Sequence, residues 1–288
     1  MVFWYIIEIS MIKNKGKFMN KEIKKKAKVI IICIVFIIVI CGLINPLTIS
    51  QYTITDESIP EEFDGYTIVQ ISDLHDKSFG KDEKKLINKI KECEPDLILL
   101  TGDMIDSTCN DIDNITHLVK GLYDICPIYQ VDGNHEKDDM VLFSQLCDMY
   151  KEYGVIDLND NNAYITKGKS SLYLNGISMS TYPGDDNTLL PPTDTYSILL
   201  YHNAAAFEVT SQLNYNLVLS GHTHGGIIRL PLVGGLISPD ITLGAKYESG
   251  YYKIGNSTLI SNRGLGDSVI PRFYNTREIV SITLKKGN

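Results

Sequence analysis

The sequence predicts an α/β fold with a mostly parallel sheet, preceded by one N-terminal transmembrane helix. Two observations predict this: short apolar runs alternate with helical stretches along the chain, and an uncharged apolar segment follows a lysine-rich N-terminus. Short runs of Ile, Val, Leu and Tyr are typical of buried strands, and helices between successive strands are typical of βαβ units.

The predicted strands and helices alternate in order. The strands are Tyr66–Ser72, Leu97–Thr101, Ile128–Val131, Ser197–Tyr201 and Leu217–Ser220. The helices are roughly Lys81–Cys93, Asp111–Tyr123, Asp138–Tyr153 and Ala204–Leu213. A hairpin over Tyr251–Ile254 and Thr258–Ser261, turning at Gly255-Asn256, and a last strand over Ile279–Leu284 complete the prediction.

A short polar motif lies at the end of each of the first five strands. The five motifs are Asp73-Leu74-His75, Gly102-Asp103, Gly133-Asn134-His135-Glu136, Tyr201-His202-Asn203 and Gly221-His222-Thr223-His224. Because parallel strands bring their carboxyl ends to one edge of a sheet, these side chains should converge. They hold five of the six histidines of the chain, which argues against five ordinary core histidines.

The motifs supply seven nitrogen and oxygen donors, enough for two adjacent divalent ions that share a carboxylate. No cysteine lies among them, which favours hard to borderline cations over a thiolate-bound zinc. A pair of ions of this kind is suited to phosphoester hydrolysis. Three neighbouring carboxylates stay open: Asp76 is predicted as a loop residue, while Asp132 and Glu136 either orient His135 or only solubilise their loop.

The ordered motifs resemble the calcineurin-like metallophosphoesterases, in particular a membrane-anchored bacterial subgroup with the G-H-T-H-G-G motif seen at 221–226. The resemblance runs from about Tyr66 to the C-terminus. It implies a four-layer α/β/β/α sandwich. Two departures, Asn203-Ala204-Ala205 in place of a segment with proline and Ile227 in place of glutamine, leave every metal donor intact and concern the shape of the substrate site.

The resemblance also implies roles for the donors. One ion would be held by Asp73, His75, Asp103 and His224, and the other by Asp103, Asn134, His202 and His222. We expect Mn²⁺ ahead of Fe or Zn. A metal-bound hydroxide would attack a phosphodiester or phosphomonoester, and His135 would stabilise the transition state or protonate the leaving oxygen.

All four arginines follow the last motif. Arg229 and Arg263 lie near it in sequence and are candidates for phosphate contact, since the planar guanidinium suits a phosphate. The alternative is that they pair with some of the acidic residues. Arg272 and Arg277 are weaker candidates.

The N-terminal region predicts a membrane anchor. We expect a basic cytoplasmic tail over 1–28, an anchor over 29–47, a linker and the entry to the domain over 48–65, and the metallophosphoesterase domain over 66–288. Eight lysines and two glutamates precede the anchor, so the positive-inside rule puts the tail in the cytoplasm and the domain outside. A cleaved signal peptide and secretion are the rival interpretation. Residues 1–18 are consistent with a misassigned start before Met19; if the segment is real, we expect an interfacial helix.

Charge limits the partners. The first 28 residues carry +6 and the whole chain −8, so the remainder carries −14. Nucleic acid is therefore not expected, because its binders present basic surfaces. The expected partners are the membrane and a phosphoester substrate. The apolar loop Leu230–Leu243 has two interpretations. It either holds a lipid tail, in which case the substrate is lipid-linked, or it covers the core.

Two alternative functions remain. One is a pyrophosphohydrolase of the UDP-diacylglucosamine type, which acts on the cytoplasmic side and so conflicts with the predicted topology. The other is a catalytically silent metal-binding envelope protein. Retention of His135, which metal binding does not require, favours an enzyme.

Overall fold

The computed structural model describes residues 2–185, 190–231, 233–238, 241, 243–244, 246–268 and 270–287, without the side chains of 2–19 and 22. The chain divides into two units, Met1–Ile44 and Asn45–Asn288. The first unit is one helix, α1 (Val2–Leu43). Within it, Ile23–Leu43 is long and apolar enough to cross a bilayer.

The second unit is built on two six-stranded sheets. The first sheet contains β1 (Leu47–Asp56), β2 (Thr67–Ile71), β3 (Leu97–Thr101), β4 (Ile128–Val131), β5 (Ile156–Asp157) and β14 (Arg277–Lys286). Its order is β1-β14-β2-β3-β4-β5. Strand β14 runs parallel to β1 and antiparallel to β2, and β2 to β5 are parallel.

The second sheet has the order β12-β13-β9-β8-β7-β6. Its strands are β6 (Asn161–Lys167), β7 (Ser170–Ile177), β8 (Ser197–Asn203), β9 (Leu217–Gly221), β12 (Gly250–Ile254) and β13 (Ser257–Ser261). The four central strands are parallel and the two edge strands antiparallel. A separate antiparallel pair consists of β10 (Ile228–Leu230) and β11 (Gly234–Ile237).

Helices cover the outer face of each sheet. Those of the domain are α2 (Lys84–Lys91), α3 (Asp113–Lys120), α4 (Met140–Glu152) and the four-residue α5 (Phe207–Thr210), which lies between two short 3₁₀ turns. Ile98 and Leu100 pack with α2 to α4, whereas Leu97 and Leu99 of the same strand pack between the sheets. A third cluster around Phe207 covers the second sheet. The domain is therefore the four-layer sandwich that the family resemblance implies.

The central strands agree with the sequence prediction because they are buried on both faces and hence uniformly apolar. In the segment 48–65, which we expected to be a linker and the entry to the domain, the first nine residues belong to a strand that was not predicted: β1 begins at Leu47 and pairs along its whole length with β14. Polar and apolar residues mix in β1 because it is a half-buried edge strand. The helix accordingly ends at Leu43, earlier than the predicted anchor boundary at 47. Strands β6 and β7 were also not predicted.

The core between the sheets should be sensitive to loss of volume. Leu219 in β9 is fully buried there, so Leu219→Ala should destabilise the domain by about 2–5 kcal/mol. This corresponds to roughly 2–4 °C of melting temperature per kcal/mol for a domain of this size. Thermal denaturation of the full chain in detergent measures it. Lys253→Ala, on the exposed edge strand β12, is the control and should leave the melting temperature unchanged; equal shifts would contradict the assignment of this core.

Candidate metal centre

The five motifs converge at the carboxyl edges of the two sheets. Asp73 and His75 follow β2, and Asp103 follows β3. The loop after β4 carries Asn134 and His135 in the same way. From the second sheet come His202, inside the end of β8, and His222 and His224, which follow β9. This convergence is what the sequence analysis predicts from the strand order.

The backbone at this edge is strained. Five of the candidate donors have left-handed φ angles between 46° and 72°: Asp73, His75, Asp103, His222 and His224. Non-glycine residues rarely adopt this conformation, and such residues cluster at functional sites because the surrounding structure must hold them there. The motif glycines permit the close packing: a Cβ on Gly133 would lie 2.1 Å from Asp103 Oδ1, and one on Gly221 would lie 2.3 Å from Asp73 Oδ2.

Asp73, His75 and His224 form the first donor cluster, with one ligand atom from each within 4.8 Å of the others. His224 Nε2 lies 3.5 Å from Asp73 Oδ1 and 3.1 Å from His75 Nε2. The backbone N–H of His222 donates to Asp73 Oδ1 at 2.9 Å. This bond fixes the carboxylate from the opposite sheet.

Asp103, His202 and His222 form the second cluster under the same distance criterion. His202 Nε2 lies 3.1 Å from Asp103 Oδ2, and His202 Nδ1 lies 2.7 Å from the carbonyl oxygen of Thr101. Asp103 Oδ2 is also 3.7 Å from His75 Nε2 in the first cluster. The carboxylate of Asp103 therefore belongs to the second cluster and also lies beside a histidine of the first.

Burial shifts the pKa values of several residues in these clusters. Burial raises the pKa of Asp73. Burial acts the same way on Asp103, but His202 outweighs it and holds the pKa of Asp103 well below its usual range. For His202, burial opposes the charge, yet Asp103 raises its pKa to about 10. Burial, His75 and Arg272 together hold the pKa of His224 well below its usual value, which favours the neutral, metal-binding form.

The donor set fits two divalent cations. Asp73 Oδ2 and Asn134 Oδ1 are buried and have no hydrogen-bond partner among the described residues. Buried polar atoms in folded proteins are mostly paired, and a cation bound between the candidate donors would accept the lone pairs of these two oxygens. Carboxylate, amide and imidazole donors without thiolate suit Mn²⁺, Fe²⁺ or Zn²⁺.

His135 lies beside the clusters and pairs with a carboxylate that the sequence analysis missed. Its Nδ1 is 2.6 Å from Asp138 Oδ2, and its ring is 5.3 Å from that of His75. Asp132, which we considered as an orienting residue, instead accepts hydrogen bonds from Ser178 and Met179. The spacing of three residues between His135 and Asp138 is the signal that could have identified the pair.

Glu136 is a buried scaffold residue rather than a solubilising one. Its two carboxylate oxygens accept the backbone N–H groups of Met104 and Gly133, each at 2.8 Å. It thereby joins the loops that follow β3 and β4. Burial and the nearby Asp103 raise the pKa of Glu136 to about 8.

Two further residues, Asp106 and Arg272, contact the ring nitrogens of candidate donor histidines. Asp106 Oδ2 lies 3.0 Å from His75 Nδ1, and this hydrogen bond lowers the pKa of Asp106. A carboxylate on the second ring nitrogen orients a ligating histidine. On the other side, Arg272 is buried with Nη2 3.4 Å from His224 Nδ1. Asp106, three residues after Asp103, could have been found from its spacing; Arg272 could not, because only the fold brings it to His224.

Arg229 and Arg263, the two candidates for phosphate contact, both pair with acidic residues. The Arg263 guanidinium lies 2.7 Å from the buried Glu278, whereas Arg229 Nη1 donates to Gly225 O and lies 3.6 Å from Glu248. These acidic partners satisfy both guanidinium groups within the scaffold. The alternative, pairing with acidic residues, is what the structure has.

A cavity of about 860 Å³ opens onto the site. His75, His135 and His224 line it, as do three isoleucines, and polar groups complete the wall. Neither Arg229 nor Arg263 is part of the lining. The residues that line the cavity are His75, Asp76, Lys77, Ser78, Asp106, Ser107, Thr108, His135, His224, Ile227, Ile241, Asp267, Ser268 and Ile270.

A double sheet with two carboxylate–imidazole clusters at its edge defines a metal-dependent phosphoesterase. The chain belongs to the calcineurin-like phosphoesterase family, whose sequence pattern matches residues 66–226. It is a hydrolase, in keeping with the family.

Relatives across the chain carry names of the same kind. It is 34% identical over 253 residues to a Bacillus subtilis protein named uncharacterized metallophosphoesterase YkuE, covering 83% of this chain and 86% of that one. It is 28% identical to the Escherichia coli phosphodiesterase YaeI, covering 61% and 65%. A zebrafish protein named transmembrane protein with metallophosphoesterase domain is 26% identical, covering 90% of this chain and 63% of its own.

Without metal, the His202–Asp103 pair should make stability depend on pH. Because Asp103 raises the pKa of His202 from 6.5 to about 10 in the folded protein, the pair stabilises the fold fully below pH 6.5, and this contribution is lost as pH rises towards 10. Melting temperatures of the chelated protein should therefore fall over this range. Added Mn²⁺ should flatten the dependence, since the cation replaces the proton.

His202→Asn isolates this effect from other titrating groups. In the chelated variant the slope between pH 6.5 and 10 should be shallower than in the wild type. An identical slope in both proteins would show that the pair does not control it.

Proposed function

We propose that this chain hydrolyses phosphoester bonds, diesters in particular, with two divalent ions held by the clusters around Asp73 and Asp103. The observation that carries the proposal is the position of Asp103 Oδ2 between His75 and His202. His135, which belongs to neither cluster, lies beside them. The name of the relative YaeI supports a diester substrate.

The ligand sets follow the two clusters. Asp73, His75 and His224 would hold one ion, and His202, His222 and Asn134 the other, with Asp103 shared. The buried unpaired oxygens of Asp73 and Asn134 support this division. When bound, the ions polarise the phosphoryl oxygens and supply an activated water. Mn²⁺ is the ion we favour.

His135 would protonate the departing oxygen. Asp138 accepts the hydrogen bond of Nδ1 and thereby orients the ring, which leaves Nε2 for exchange of a proton with the substrate. His135 lines the cavity, so its side chain is accessible to a substrate. A protein that only bound metal would not require this pair, and its presence favours catalysis over a silent metal-binding role.

The chain would be held at the cell membrane by the apolar helix, with the basic tail in the cytoplasm and the domain outside. The lysines before residue 29 support this orientation through the positive-inside rule. The zebrafish relative is named as a transmembrane protein. A domain outside the cytoplasm would act on phosphoesters of the envelope or of the medium.

Metal-dependent turnover is the direct test. The full chain in detergent should hydrolyse bis-p-nitrophenyl phosphate with Mn²⁺ and lose the activity on chelation. Asp103→Asn should abolish turnover and reduce the bound metal below two ions, measured by elemental analysis. Asp111→Asn, an exposed carboxylate, is the matched control and should retain both. Full activity in Asp103→Asn would contradict the bridging role.

The His135–Asp138 pair predicts a dependence on the leaving group. His135→Ala should retain both metal ions and lose roughly 10²–10⁴-fold in kcat on an alkyl phosphodiester. The loss should be smaller on bis-p-nitrophenyl phosphate, because p-nitrophenolate departs without a proton. Asp138→Asn should show the same pattern to a lesser extent. Equal losses on both substrates would show that the pair does not act as the acid.

A further inference from the structure

An exposed apolar surface borders the cavity. Leu230 and Val233 lie in the β10–β11 hairpin, Ile241 and Leu243 in the segment after it, and their exposed fractions are 41%, 68%, 73% and 77%. We call these four residues the apolar rim. Leu243 bridges to Ile237 of β11, and Ile237 pairs with Ile228 of β10, so Leu243 is joined to the hairpin in one small sheet. A cluster of exposed side chains of this kind marks an interaction surface more often than single ones do.

The rim is continuous with the apolar wall of the cavity. Ile241 belongs to both, and Ile227 and Ile270 extend the wall inward towards His224. A molecule with a phosphoester at the metal centre and an apolar chain would therefore contact isoleucine along its path out. A wholly water-soluble phosphoester leaves this wall and the rim without a function.

Asn45, the first residue of the second unit, lies near the hairpin that carries the rim. Asn45 Nδ2 donates to Arg272 O, and the Asn275 N–H donates to Asn45 Oδ1. Between these contacts lies Phe273, which pairs with Ile228 of the hairpin. Only Ile44 separates Asn45 from the last residue of α1, Leu43. Since one residue spans at most about 3.6 Å, a helix that crosses a bilayer must leave it close to this hairpin.

The charges around the rim do not favour electrostatic attraction to an anionic lipid surface. The domain is strongly acidic, and the nearby cations Arg229 and Lys246 are paired with Glu248 and Glu208. Contact with a lipid surface would therefore be apolar and would not require anionic lipid.

We propose that the apolar rim docks on the surface of the lipid bilayer that holds α1, and that the substrate is the phosphoester of a membrane-embedded amphiphile. The docked rim opens the cavity towards the headgroup region, and the isoleucine wall receives the first part of the apolar chain. The substrate class rests on the proposed phosphoesterase function, whereas the docking does not.

Lipid quenching of tryptophan tests the docking independently of catalysis. The chain has a single tryptophan, Trp4, which is replaced by Phe in the full-length protein. Val233→Trp and Leu243→Trp are then placed in nanodiscs of neutral lipid with brominated acyl chains. We expect emission to fall about twofold or more relative to unbrominated lipid. Tyr123→Trp, an exposed site before β4 and hence at the opposite edge of the sheet, should show no change.

The outcomes separate the possible occupants of the rim. Quenching at both rim positions but not at Tyr123→Trp supports the proposal. Quenching no greater than at the control position overturns it. A blue-shifted emission that depends on protein concentration and is insensitive to bromine would identify a second copy or another protein and would also overturn it. Repeating the measurement with Asp103→Asn should give the same quenching, since docking does not need turnover.

Activity tests the substrate class. The double variant Val233→Asp with Leu243→Asp changes residues outside the cavity lining. It should retain hydrolysis of bis-p-nitrophenyl phosphate and lose about tenfold on a long-chain p-nitrophenyl phosphodiester embedded in neutral nanodiscs. Unchanged turnover of the embedded ester would overturn the substrate class. Absence of wild-type activity on the soluble ester would instead refute the proposed function and leave the quenching result standing.

Discussion

The structure depends on burying the carboxylates of Asp73 and Asp103 at one edge of the fold. Two desolvated like charges repel, so each must be compensated locally. Each receives a backbone N–H from a distant loop, from His222 and His135 respectively, and imidazoles surround both. The glycines at this edge follow from the same close approach, because a Cβ on Gly133 or Gly221 would overlap the carboxylate of Asp103 or Asp73.

The compensation joins the two sheets. The first cluster takes Asp73 and His75 from the first sheet and His224 from the second, while the second cluster takes Asp103 from the first and His202 and His222 from the second. Neither sheet alone carries a complete set. A cation at either position would therefore contribute to the stability of the sandwich as well as to chemistry.

The sequence predicts those parts of the molecule that local pattern specifies. The central strands are buried on both faces and read as apolar runs, and the motifs at their ends identify the donors. Strand β1 was not predicted because an edge strand is half polar. The contact of Arg272 with His224 was not predicted because only the folded chain brings the two residues together. The glutamates that pair with Arg229 and Arg263 could not be named from the sequence either, because only the folded chain brings them together.

The strand order of the first sheet has a consequence for biosynthesis. Strand β14 lies between β1 and β2, so the first two strands to be made have no partner in common until residues 277–286 have been synthesised. Asp73, at the end of β2, is packed against Gly264, shortly before that last strand. The nascent chain therefore leaves strand edges of β1 and β2 unpaired until the C-terminal strand has been synthesised, and the packing of Asp73 against Gly264 also forms late in translation.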